Sequence, residues 1–436
     1  MLVRLRHILP VFILACFLPG CEPEIKQKLS GQPFFEGETN LDRFVVVGGE
    51  YLSGFTDRDL FLSGQKSSIG SILSDRFRKV GGGNFRQALM FDERGLGHRL
   101  KLERVADCEG NEDVQIQPYG GTPDPRNHQR IGSNGPFSDY AVPYARAIDL
   151  NNTSYSGLNT YFDRMSSRNS SSIMDDVQLA DPTFFVMWAG DRDVLGYALN
   201  GGAAGLGVPS ISGATSFRNA MQTALQKLTA RGAKGVMVNI PSLESLPFFT
   251  TIPYDAIVVT QEEAERLNLL YLTSPNVRFK EGKNPFVIRE GLTTRFMTPN
   301  EYVCLTVDPD SVKCGGLGSS TPLSDQYVLT EAEISESRAA ISQFNGIIAE
   351  LAASYQLPLF DANAYFSKVN RIGINIDGID YNTNFITGGF ISLDGSHLTP
   401  RGNAIIANEI IKLINDRFRA KIPLTDINSY PTVQIP

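Results

Sequence analysis

The chain has 436 residues, a formal net charge of −7 and 42 % apolar residues. That acidic balance, with no basic cluster, argues against nucleic acid as a partner. With no CxxC and no clustered histidines, a zinc site is not expected and no cofactor is implied.

The chain opens with a processing segment rather than with fold. Arg4 and Arg6 precede an apolar run at 8–18, too short to span a bilayer and interrupted by Pro10. LPGC at 18–21 resembles a bacterial lipobox, which implies cleavage before Cys21, lipidation of its thiol and a membrane held through that lipid. Residues 1–21 are therefore expected to be a signal peptide, 22–40 a polar tether, 41–420 one domain and 421–436 a tail. The implied location is the bacterial cell envelope, at the outer membrane or cell surface.

FVVVGG (44–49) reads as a buried strand running into a glycine turn. A helix is expected over 67–80, a long loop insertion over 81–136, and strands at 139–143 and 183–190. Phe217, Met221, Ala224, Leu225 and Leu228 recur at helical spacing, Gly232 stops that helix, and 235–241 returns as a strand. Residues 242–329 form a second expected insertion. A long helix at 330–355 opens on the capping box Thr330/Glu333, and a last strand covers 357–361. The closing helix has Thr399 as N-cap and Pro400 at its first position. Alternating strands and helices with glycine at the strand tips predict an α/β sandwich around a parallel sheet, with ligands beyond the carboxyl ends of the strands. Cys304 and Cys314 flank a turn and are placed to pair, which would leave Cys108 over.

FISLDGSHLTPRG (390–402) carries the chemistry most clearly. Asp394, three residues before His397, can accept from the imidazole Nδ1–H and leave Nε2 free as a base. This block resembles the last block of the SGNH, or GDSL-type, hydrolases, in particular their Bacteroidetes-like secreted lipoprotein branch. The likeness extends through SGQ (63–65), AVPYARA (141–147), PTFFVMWAGDRDVLGYA (182–198), GAKGVMVNIP (232–241), PFFTTIPY (247–254) and PLSDQYVLT (322–330). It implies a three-layer, flavodoxin-like α/β/α sandwich with a short parallel sheet, and a cofactor-free ester or acyl hydrolase using serine, histidine and aspartate. It also implies an oxyanion hole built from the serine amide, a glycine of the second block and an asparagine of the third.

Only the last block matches residue for residue, at Asp394 and His397. The serine position falls on Glu50 or, one place on, Tyr51. The glycine falls on Tyr144, and the third block reads Gly190-Asp191-Arg192-Asp193, with Arg192 at the asparagine. Three readings follow. In the first, the fold has shed its serine chemistry and kept a cleft that binds a glycan, an acylated ligand or a lipid ester. In the second, it is a working hydrolase with Ser53 as a rearranged nucleophile, or with Glu50 itself as nucleophile or base. In the third, Glu50, Asp191, Asp193 and Asp394 gather as oxygen ligands for Ca²⁺. Asn239, at a strand end on the same rim, is a candidate ligand contact. Trp188 reads as core, and His98 and His128 as solvated loop residues.

Overall fold

The computed structural model describes residues 33–203, 205 and 210–436, so the expected lipidation site Cys21 lies outside the described residues. Five strands form the central sheet: β1 (Phe44–Gly48), β2 (Asp139–Ala141), β3 (Phe184–Trp188), β4 (Lys234–Val238) and β5 (Leu359–Phe360). Their order is β5-β4-β3-β1-β2, and every pair is parallel. Every residue of β1 and β3 is buried, as a sheet covered on both faces requires.

The helices that matter for the site are α1 (Glu50–Ser53), α2 (Ile69–Arg78), α3 (Arg192–Ala198), α4 (Ala214–Thr229), α5 (Glu331–Ser354) and α6 (Pro400–Arg417). α2 packs on α6, and α4 packs on α5, giving helical layers over the α/β/α sheet. The caps follow the sequence. Thr330 N–H donates to the Glu333 carboxylate at 2.8 Å, and Thr399 Oγ1 accepts from Gly402 N at 2.9 Å. α1 and α3 leave the tips of the neighbouring strands β1 and β3, so the residues following both tips share one rim. Gly48 makes the first exit possible: a Cβ there would stand 1.7 Å from the Trp188 carbonyl oxygen.

Both insertions are more structured than their composition suggests. Residues 81–136, expected as a long loop, contain an antiparallel hairpin pairing Leu100–Ala106 with Glu112–Pro118. The 242–329 segment has its own apolar core, including Leu267, Val277, Phe286 and Val287. The expected Cys304–Cys314 bridge is corrected. Cys108, at the hairpin turn, is bonded to Cys314 with the Cα atoms 6.3 Å apart. Cys304 is free and faces the core, where burial pushes its thiol up to about 12. Cys108 and Cys314 are exposed, and Lys313 pairs with Asp107 and Glu109 at 2.6 Å each, so charge holds the same junction.

Candidate functional site: an Asp-His pair facing a buried carboxylate

The loop before α6 folds around Asp394. Its Oδ1 accepts from Ser396 N at 2.9 Å and His397 N at 2.8 Å, and its Oδ2 accepts from Arg58 N at 3.0 Å. His397 Nδ1–H donates to Oδ2 at 3.1 Å, and Ser396 Oγ lies 3.1 Å from the same nitrogen. The Asp-x-x-His pairing expected from the sequence is therefore present. Burial alone would raise the Asp394 carboxyl, but His397 and the backbone amides hold it far below the usual carboxylate range. Burial alone would lower the imidazole. Asp394 first, then Glu50 and Asp191, outweigh that and raise it above its ordinary value. The ring is fixed between Phe55, at 4.9 Å between centroids, and Tyr51, at 5.5 Å.

The opposite wall comes from the tip of β1. Glu50 opens α1 and is 1 % exposed. Its Oε1 lies 3.7 Å from Arg192 Nη1, and neither carboxylate oxygen accepts a hydrogen bond. Tyr51 does structural work instead. It stacks on Trp188 at 4.7 Å, and its hydroxyl donates to the Ser396 carbonyl at 3.0 Å, tying the first block to the last. Burial, then Asp191, raises its phenol far above the ordinary value, so it stays a donor.

Ser53 is not brought to His397. Its Oγ donates to the Glu50 carbonyl at 2.9 Å and accepts from Phe55 N at 3.1 Å. It also lines a small internal cavity beside Gln65, Asp139 and Arg164. Its two local bonds occupy the hydroxyl. Among the described residues no serine or threonine oxygen hydrogen-bonds His397 Nε2; Ser396 reaches only Nδ1.

The second and third blocks complete the rim. Tyr144 adopts φ 66°, in the left-handed region that favours glycine, so the backbone bend persists under a bulky side chain. Its ring carries the Arg192 guanidinium 4.8 Å from the centroid and packs edge-on to Phe55 at 5.7 Å. Gly190 contributes space rather than a ligand contact: a Cβ there would stand 2.7 Å from the Phe217 ring. Asp191 is buried with Oδ1 unpartnered, and burial, then Glu50, raises its carboxyl strongly.

The carboxylates do not gather as a calcium site. Asp193 turns away to accept from Ala147 N at 2.6 Å, and Asp394 is occupied by His397 and three amides. Among the described residues no three His, Cys, Asp or Glu side chains are grouped to hold a metal ion. Asn239 is likewise elsewhere. It donates to Asp361 Oδ1 at 2.8 Å, accepts from Asn363 N at 3.0 Å, and lines a separate cavity of about 360 Å³. As a strand-end residue it closes the β4–β5 edge, one strand beyond β3.

A larger cavity of about 710 Å³ opens against Tyr144 and Arg192, walled by Arg146, Asp149, Tyr155 and Leu158. Arg146 and Asp149 went unnoticed as site residues in the sequence. Arg146 lies within the AVPYARA block beside Tyr144 and Asp149 two residues past it, and that proximity is the signal that could have found them. Arg146 Nε donates to Asp149 Oδ2 at 3.1 Å.

No family model matches the chain, and no curated protein matches it. Among solved structures it is similar to an acetyl xylan esterase, AlAXEase, at 15 % identity. That match covers 63 % of this chain and 78 % of the other, with a TM-score of 0.28. A likeness at that level assigns no activity.

Proposed function

We propose that the chain is an SGNH-type α/β/α protein that has lost serine ester hydrolysis and uses its cleft to bind a glycan or an acylated ligand. In this reading a lipid on Cys21 holds it at the bacterial envelope. The observation that carries the proposal is the buried Glu50 at the tip of β1, beside Arg192, with no alcohol on His397 Nε2. A carboxylate there cannot be deprotonated into an alkoxide nucleophile. It would also repel the negative charge that an acyl-transfer transition state develops.

The test compares aryl acetate hydrolysis by the parent and by His397→Ala. Equal, background rates are expected, and a rate that depends on His397 would overturn the proposal. One observation favours a second reading, with Glu50 itself as nucleophile or base: both of its oxygens lack hydrogen-bond donors. That reading requires Glu50→Gln to abolish a measurable rate.

A further inference from the structure

We infer that the cleft over Arg192 takes an acidic saccharide, a sugar unit carrying a carboxylate or a sulfate. The inference rests on the binding function proposed above and names its ligand class. Its first support is the state of Arg192. The side chain is 17 % exposed, and among the described residues its guanidinium makes no hydrogen bond. It is held by the 3.7 Å ion pair with Glu50 and by the Tyr144 ring at 4.8 Å. Neither contact uses an N–H in a hydrogen bond, so its donors remain for an acceptor. A rigid fork of donors matches carboxylate and sulfate oxygens in pairs.

The second support is charge. Two arginines line the cavity, Arg146 and Arg192, against one carboxylate, Asp149, in a chain whose net charge is −7. Glu50 offsets part of Arg192, but it lies below the floor with its oxygens shut off from solvent. Arg146 is paired with Asp149 at 3.1 Å, so Arg192, with its counter-charge buried beneath it, is the cation the cavity offers an acidic ligand.

The third support is the character of the walls. A volume of about 710 Å³ admits a short saccharide. Tyr144 is 37 % exposed and Leu158 74 % exposed, offering apolar surface to the C–H face of a sugar ring. Asn159 and Thr160 add polar groups to the same wall. Polar surface predominates there, which suits a polyol better than an acyl chain.

The test is calorimetric titration of the full chain at low salt with three probes of equal length: an oligouronate, a sulfated oligosaccharide and a neutral oligosaccharide. At least one acidic probe should bind about ten-fold tighter than the neutral one, the worth of a charge-assisted pair. That preference should shrink with added salt. It should vanish in Glu50→Gln/Arg192→Gln, which removes both charges and so strands neither. The relative response to uronate and sulfate identifies the acidic group. Equal binding of acidic and neutral probes would overturn the inference and leave the binding function standing. Binding of none would overturn both.

Discussion

The loop at 394–397 and the strand tip at 48–53 face each other across one site, and they keep opposite accounts with their hydrogen bonds. In the loop, Asp394 accepts from three backbone amides and an imidazole. At the tip and on the neighbouring β3 rim, both Glu50 oxygens and one Asp191 oxygen lack donors. The contrast separates a carboxylate that its own loop holds with donors from carboxylates that no donor holds. Asp394 is required to fold its own loop and to bind Arg58 across the site, whatever His397 does. The tip needs Gly48 to pass Trp188 and Tyr51 to reach Ser396, and neither contact specifies the side chain between them. An Asp-x-x-His pair is therefore weak evidence of turnover when its carboxylate also serves as scaffold.

The largest expected effect tests that scaffold. Asp394→Ala should cost about 3–5 kcal/mol in urea unfolding, as removal of one partner from a buried pair does. A loss below about 1 kcal/mol would mean the loop holds without it, and the contrast would fail.

The two sides should next separate by pH. Asp394 has a lowered pKa, so its stabilisation is present above the unfolded value near 3.8 and is lost only as pH falls toward its depressed folded value. Asp193, on the β3 side, is raised to about 6, burial being the main cause. Its proton is held more tightly in the folded state, so its contribution is full below about 4 and lost as pH rises to about 6. That loss amounts to about 3 kcal/mol. His397, also raised, extends the decline above its unfolded value. Thermal melts should show greater stability at pH 5 than at pH 8. Asp193→Asn should flatten the acid part of that slope, and an unchanged slope would refute the assignment.

A smaller effect concerns the loose Glu50–Arg192 pair. Arg192→Met should destabilise by roughly 1–3 kcal/mol by leaving Glu50 buried and unpaired, and adding Glu50→Gln should recover most of it. If the double variant is as unstable as the single one, the pair is not a unit. Ser53→Ala should matter least, costing about 1 kcal/mol for its two local bonds and leaving any acyl transfer unchanged.

Much of the sheet could be read in advance, because β1 and β3 are continuous apolar runs and the Thr330 and Thr399 caps carry their own chemistry. The Asp394–His397 contact was legible for the same reason: three residues of loop bring it together. Features formed between distant segments were not. The Cys108–Cys314 bridge joins positions 206 apart, and the nearer Cys304 was an attractive partner until its burial was known. The Leu100–Pro118 hairpin was hidden by averaging composition over a glycine-rich stretch, although Leu100 and Leu102 alternate with Lys101 and Glu103, and Leu102 sits opposite Ile116. Asn239 was placed on the right edge of the sheet, but its distance from His397 depends on strand order, which no local pattern carries.

The central claim is that the tip of β1 presents a carboxylate, and no alcohol, to His397. Treatment of the folded protein with a fluorophosphonate, followed by peptide mass spectrometry, tests it most directly. The account predicts no phosphonylated serine anywhere in the chain. A stoichiometric adduct on Ser53 or any other serine, abolished in His397→Ala, would contradict it.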